Sequence, residues 1–369
     1  MRLLFAAVGW LGCSGSSLEP VIDTGGEAMD PLSWSLTEPG PFSVGFESWE
    51  VTYTPGEGVV DRTVRINLWY PTNETTGNPA AYTFGVDPLS IAGAEPAPPV
   101  HVDGYPLHTF SHGDRSFGEA TAFMNRHMAS HGWVTVTPNH TDNTLVDHQD
   151  PLSNAHYAHR PLDIRAALDA VEGLDDEHPL AGRINTERVM MSGHSRGAYT
   201  TWAVLGAAYD PENVAEMCAS GDNPCTAQET AMFGAQLGDP RVVATMPMAG
   251  TLRRSWFGAD GELAVHGPVL FMGATEDQRG QDTQFESMGA IDFTWMEIEG
   301  GCPETFSLGT CATLDRETGY AIVRAVGLGW ARYTVLGDRT EQTLGAISGV
   351  DPALSLVTTQ RLGGQRSAR

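Results

Sequence analysis

The 369-residue chain contains no lysine: all 21 of its basic residues are arginine, and they face 46 acidic residues for a formal net charge of −25. A surface of that sign repels phosphate backbones and anionic membrane faces, which excludes a nucleic-acid partner. It reads as a heavily solvated acidic exterior, with calcium binding along it as the alternative. Long apolar runs are also missing, since nothing beyond the extreme N-terminus approaches the roughly 20 residues that span a bilayer. Cysteine is sparse, with five residues, and histidine stops early: of the 12 histidines, none follows His266. Against these absences, 41% apolar and 18% charged residues fit a globular chain able to bury a sizeable core.

The N-terminus, "MRLLFAAVGWLGCSGSS", places one arginine before an apolar run from Leu3 to Leu11. Small polar residues follow Gly12-Cys13, which is export-signal composition. It resembles a bacterial lipoprotein signal, which implies a leader over 1–13, acylation of Cys13 and a flexible tether over 14–41; plain secretion is the alternative. The expected location is therefore outside the cytoplasm, with membrane contact only through a lipid on Cys13. The other cysteines, Cys218, Cys225, Cys302 and Cys311, form two close pairs, "CASGDNPC" and "CPETFSLGTC". Proximity favours 218 with 225 and 302 with 311 in an oxidising compartment, against four separately buried thiols.

"FESWEVTYT" and "RTVRINLWYP" alternate apolar and polar side chains around the turn-rich "PGEGVVD", which predicts an antiparallel hairpin. Residues 72–102, rich in Gly, Pro and Ala, show no period and read as an irregular excursion over the surface. From Pro106 onward, short apolar segments predict six strands: "LHTFSHG", "WVTVTPN", "RVMMSGH", "VVATMPMAG", "PVLFMGATED" and "FTWMEIEGG". Helical patterns fall at 117–131, 161–173, 196–209 and 316–336. This alternation predicts one α/β domain over 42–345, a mostly parallel, doubly wound sheet. Residues 210–239 read as a small cap insertion and 346–369 as a C-terminal extension.

The segment "RVMMSGHSRGAYTTW" runs a strand through Gly193-His194-Ser195-Arg196-Gly197 into a helix. The glycines permit a tight turn that presents the serine, and the helix N-terminus supplies N–H groups and positive dipole for an oxyanion. With "VRINLWYPT", "FSHGDRSFGE", "RPLDIRAALDAVEGL", "PVLFMGATEDQ" and "GLGWARYTVLGD", it resembles the α/β-hydrolase family, in particular bacterial esterases like dienelactone hydrolase and platelet-activating-factor acetylhydrolase. The resemblance implies a serine-type carboxylic-ester hydrolase acting on a small ester without cofactor or metal. Ser195 would be the nucleophile and Asp277 the acid, with Glu276 the weaker choice. Backbone N–H groups of Arg196 and Asp114 would form the oxyanion hole. A carboxylate at 114 opposes a developing oxyanion unless paired, and Arg115 is the nearest cation in sequence.

The family order is Ser, acid, His, with the histidine after the last core strand. Here that position falls on Gly300-Gly301-Cys302-Pro303, and no histidine follows the acid. His266 starts a strand whose other end meets the site, roughly 23 Å away at 3.3 Å per residue. His194 and His112 read as packing and hydrogen-bonded structural residues. The surrogate-base candidates are His140, His148, His156 and His159 in "NHTDNTLVDHQDPLSNAHYAHRP", together with Glu304 if burial raises its pKa. The same histidines and aspartates fit no specific metal template and read as a polar loop. An unassisted serine is a weak nucleophile, so the alternative function is a catalytically impaired surface lipoprotein that binds a ligand or partner.

Overall fold

The computed structural model describes residues 30–234, 237–277 and 288–362. The expected leader, Cys13 and the tether up to residue 29 lie outside the described residues, as do residues 363–369 of the expected C-terminal extension. Among the described residues, eleven strands form one sheet: β1 (Ser43–Tyr53), β2 (Arg62–Thr72), β3 (Pro79–Tyr82), β4 (Gly85–Ala92), β5 (Tyr105–Ser111), β6 (Val134–Asn139), β7 (Ile184–His194), β8 (Val242–Met248), β9 (Val269–Ala274), β10 (Phe293–Ile298) and β11 (Val357–Leu362). Their order is β11-β10-β9-β8-β7-β5-β6-β2-β1-β4-β3. β6, β5, β7, β8, β9 and β10 run parallel, while β2 pairs antiparallel with both β1 and β6.

Helices cover both faces: α1 (Ala122–Ser130), α2 (His156–Glu172), α3 (Arg196–Val204), α4 (Pro211–Ala219), α5 (Ala227–Met232), α6 (Arg254–Phe257), α7 (Arg316–Ala331) and α8 (Glu341–Ser348). Side chains alternate across a strand, so one strand feeds two cores. Met191 joins Val136, Ile164 of α2 and Trp202 of α3 on one face. Met190 joins Met246, Met272, Phe123 of α1 and Val326 of α7 on the other.

Four expectations are corrected by the structure. The excursion over 72–102 contains the hairpin β3–β4, and β4 pairs with β1 to extend the sheet. α2 starts at His156, five residues before Pro161. A proline inside a helix removes the N–H that would serve the carbonyl four residues back. Here that carbonyl belongs to Tyr157, and the Tyr199 hydroxyl donates to it at 2.7 Å. The helix after Ser195 stops at Val204 because the chain turns at Gly206, with φ of 99°. α7 ends at Ala331 and passes into a π turn over Arg332–Leu336.

The region 210–239 holds α4 and α5, stapled by the Cys218–Cys225 disulfide. Near the C-terminus, β11 pairs antiparallel with β10 along the sheet edge. Residues 30–41 are docked on the body of the protein. Arg332, which is buried, donates to the carbonyls of Trp34 at 3.0 Å and Leu32 at 3.4 Å, and His127 and His131 donate to those of Leu36 and Glu38. Arg332 also donates to His131 Nδ1 at 3.1 Å, which assigns that ring the neutral tautomer with its proton on Nε2.

Arg332→Met removes all three donations and leaves carbonyls that Gln342 alone still serves. Urea unfolding is expected to show a loss of about 1–3 kcal/mol. Chymotrypsin is expected to cut the segment around Trp34 faster while sparing the rest of the chain.

Candidate active site

Ser195 sits between the last residue of β7 and the first of α3, with φ of 55° and ψ of −113°. A non-glycine residue at positive φ is strained and persists only where its surroundings fix it. The Ser195 N–H donates to the Met248 carbonyl at 2.9 Å. A Cβ on Gly197 would collide with the Ser111 carbonyl, and one on Gly193 would collide with the Gly197 carbonyl, so only glycine lets the turn close. The loop His112-Gly113-Asp114 follows β5 and packs on this elbow: a Cβ on Gly113 would lie 3.3 Å from Ser195 Cβ. Among the described residues, no group hydrogen-bonds the Ser195 hydroxyl, and the backbone N–H groups of Arg196 and Asp114 have no acceptor.

Asp114 is paired, but its partner is not Arg115. Asp114 Oδ1 lies 3.1 Å from Arg196 Nε, an ion pair whose N–H is not aligned on the oxygen, and it accepts from Asn143 Nδ2 at 2.8 Å. Burial pulls its pKa up, but the Asn143 amide, Arg196 and Arg160 outweigh burial and hold the carboxyl below its ordinary value. Arg115 turns outward, donating to His148 Nε2 at 2.9 Å and pairing with Asp150 at 3.5 Å. The Arg196 guanidinium lies 5.2 Å from the centroid of the Tyr157 ring.

A buried polar network holds this loop from below. Arg160 is fully buried and donates to Asn143 Oδ1 at 2.7 Å, Thr200 Oγ1 at 3.1 Å, Ser111 Oγ at 3.2 Å and the His112 carbonyl. Ser111 lies 2.9 Å from His140 Nε2, and His140 Nδ1 lies 2.8 Å from Asp163 Oδ2. Because an ionised carboxylate only accepts, Nδ1 carries the proton, Nε2 accepts, and the Ser111 hydroxyl donates. Asp163 in turn accepts from Arg62 Nε at 2.7 Å and from the Tyr53 hydroxyl at 2.6 Å. Burial opposes its ionisation, but Arg62 and His140 overcome that and drive its pKa far below the usual carboxylate range. None of Ser111, Asn143, Arg160 and Asp163 was singled out from the sequence. Arg160 and Asp163, three apart on α2, share one helix face, which is the signal that would have paired them.

The proposed bases are placed elsewhere. His140 spends both ring nitrogens on Ser111 and Asp163. Burial, the nearby arginines and the absence of solvent push it down to about 3. His148 Nε2 accepts from Arg115. His156 and His159 are in the first turns of α2 and not in a loop; their rings meet edge to face at 6.0 Å, and burial holds both pKa values low. Glu304 is exposed, so the burial that would make it a base is absent. His112 donates from Nδ1 to the Gly113 carbonyl at 2.7 Å and accepts the His140 N–H on Nε2 at 2.9 Å. His266 Nε2 bonds the Val242 carbonyl at the N-terminal end of β8.

Asp277 lies half-buried in the turn after β9, its N–H on the Ala274 carbonyl at 3.0 Å, and the neighbouring Glu276 is exposed. That turn packs on the segment after β10: the Glu276 N–H donates to Gly301 O at 2.9 Å and the Gly300 N–H to Thr275 Oγ1 at 2.8 Å. Gly300 has φ of 69°, and the Cys302–Cys311 disulfide then closes the loop. Pro303 starts a short 3-10 turn where the resemblance would put the base. Cys302, Glu304 and Cys311 crowd together, but both sulfurs are in the disulfide and offer no thiolate to a metal.

No family model matches this sequence. No curated protein matches it. Among solved structures it is similar to a ferulic acid esterase from Streptomyces cinnamoneus, with a TM-score of 0.62, 18% identity, and coverage of 88% of this chain and 99% of that chain. At that identity the likeness concerns the fold: the chain has the α/β-hydrolase fold.

Eight buried or part-buried histidines (101, 108, 112, 127, 131, 140, 156 and 159) have pKa values lowered first by burial, to about 3 or 4 where a value is defined. Lowered folded values mean that the unfolded chain, with histidines near 6.5, binds more protons. Their stabilisation is complete above about pH 6.5 and is lost as the pH falls toward 4. Urea titrations at pH 7.5, 6.0 and 5.0 are expected to show stability falling by more than about 3 kcal/mol per pH unit, at least two protons' worth. A flat profile over that range would mean the rings are hydrated or already charged.

Proposed function

We propose that this chain is a serine-type carboxylic-ester hydrolase that works without a histidine base. The observation that carries the proposal is Ser195, held at positive φ on a strand-to-helix turn beside two unpartnered backbone N–H groups. The esterase among its structural neighbours supports the same reaction class. In the proposed cycle Ser195 Oγ attacks the ester carbonyl carbon and its proton leaves to water or hydroxide. The N–H groups of Arg196 and Asp114 hold the oxyanion, the leaving group departs as an alkoxide that takes a proton from bulk water, and water then hydrolyses the acyl-serine. Asp277 takes the acid position in this reading. Oxyanion stabilisation and binding alone sustain about 10³ to 10⁴ over the uncatalysed rate. In this cycle no side chain protonates the leaving group, so small uncharged or cationic esters with acidic alcohols are favoured. The two disulfides fit an oxidising compartment, and no described helix is long and apolar enough to cross a membrane; lipid anchoring through Cys13 belongs to the proposal.

The second reading, an impaired surface lipoprotein that binds a ligand or partner, is favoured by the disulfide and Pro303 at the base position.

A fluorophosphonate probe is expected to label Ser195 slowly, with labelling abolished in Ser195→Ala. Release from p-nitrophenyl acetate is expected to rise with pH in proportion to hydroxide, without the bell of an imidazole base. No labelling and no release above buffer would leave the binding protein as the better account.

Asn143 and Arg160 are positioning residues that act through Asp114 and the His112 carbonyl. Asn143→Ala is expected to slow labelling by about tenfold, less than the 10² to 10³ seen when an oxyanion donor itself is lost. The melting temperature should fall as well, because Asn143 is fully buried and its loss leaves an Arg160 donor without an acceptor. A purely structural Asn143 would give the lower melting temperature with unchanged labelling.

A further inference from the structure

A cavity of about 350 Å³ opens where α1 and α7 meet the start of β1 and the β4 edge, and no residue of the Ser195 site lines it. Its apolar walls are Phe42, Val44, Leu89 and Phe123, and its cations are Arg126 and Arg324. Asp87 fixes Arg126 at 2.8 Å, and is itself saturated by the Tyr82 hydroxyl at 2.6 Å, the Ser90 hydroxyl at 2.8 Å and the Leu89 N–H at 3.1 Å. Asp87 therefore anchors one guanidinium and has no capacity left for a second.

Arg324 projects from α7 and, among the described residues, makes no hydrogen bond or ion pair, although its Nε is buried. Burial pushes its pKa down and the like charge of Arg126 adds to it, outweighing the opposing charges of Glu317 and Glu38. A buried donor without an acceptor costs about 1–3 kcal/mol, and in a chain of net charge −25 an arginine left without a carboxylate calls for a ligand.

We propose that this cavity binds a small organic anion, a carboxylate on an apolar body. The carboxylate sits between Arg126 and Arg324, and the body lies against Phe42, Val44 and Leu89. The volume is at the small end of ligand sites, which run from about 300 to 1,000 Å³. A guanidinium fork matches the two oxygens of a carboxylate. The acidic field around the site disfavours polyanions, so a singly charged group with an apolar tail is selected over a polyphosphate.

Titration calorimetry of the purified protein with octanoate tests the site, with octanol and inorganic phosphate as single-feature controls. Octanoate is expected to saturate one site, with octanol and phosphate each at least about tenfold weaker. Arg324→Met should weaken octanoate by about tenfold or more, and Arg324→Lys should keep part of the affinity. Leu89 is 65% exposed, so Leu89→Asp should weaken octanoate without disturbing the fold. The proposal is overturned by no saturable binding up to about 10 mM, or by phosphate binding as well as octanoate. It is also overturned if affinity is unchanged in both Arg324→Met and Leu89→Asp, or is lost instead in Arg196→Met, which would place octanoate at Ser195.

Discussion

The buried guanidinium of Arg160 is the joint on which the candidate site depends. It sits on α2 and reaches Thr200 on α3, Ser111 at the end of β5, the His112 carbonyl and Asn143, so one cation fixes four segments at once. A charge this deep is tolerated only when its donors are satisfied and counter-charges are near. Asp163 and Asp114 supply the charge, one through His140 and Ser111 and the other through Asn143. The strained φ of Ser195 lies on top of this frame. Its helix is tied to Arg160 through Thr200, and its facing loop through His112. A site that must hold backbone N–H groups toward one point gains rigidity from below, where no substrate competes for the donors.

The arrangement explains what was and was not legible in the sequence. The parallel strands could be read because each is a short apolar run, buried on both faces, and the hairpin because it alternates. The β3–β4 hairpin could not, since it lies at the border of the sheet with little to bury and carries Pro79 and Pro88. The start of α2 was hidden by Pro161, whose cost is offset by the hydroxyl of Tyr199, far along the chain on α3. In the site, Ser195 and its glycines are local signals. Asp114 was legible as a problem, but its solution was not. The nearest cation in sequence, Arg115, points outward with φ of 50°, whereas Arg196 arrives from another strand's end.

Under the proposed hydrolase reading, the missing histidine and the disulfide loop are linked by geometry. A histidine base would have to come from the loop after β10 and reach back over Ser195. Here Gly300 turns left-handed, the Glu276 and Gly300 N–H groups lash the loop to the turn after β9 that carries Asp277, and Cys302–Cys311 closes it. The histidines of the chain are instead spent in the scaffold. His108, His112 and His140 lie under the site with both proton and lone pair committed or burial-neutralised, which is incompatible with shuttling a proton near neutral pH. Histidine is present in the right region but in the wrong state.

The absence of lysine follows the same logic. The cations that matter here are buried or wedged: Arg62 on Asp163, Arg160 on four acceptors, Arg332 on two carbonyls and a histidine ring. Each engages several acceptors lying in different directions from one planar head. An ammonium on a flexible stem offers only three donors around a point and is more strongly hydrated, so it would lose more on burial and satisfy fewer groups. With 46 acidic residues on an otherwise solvated chain, cations are not needed to balance charge at the surface. They are kept where a fork is required, and that makes the fork on Arg324, whose Nε is buried without an acceptor, a feature that the scaffold's own polar bonding leaves unexplained among the described residues.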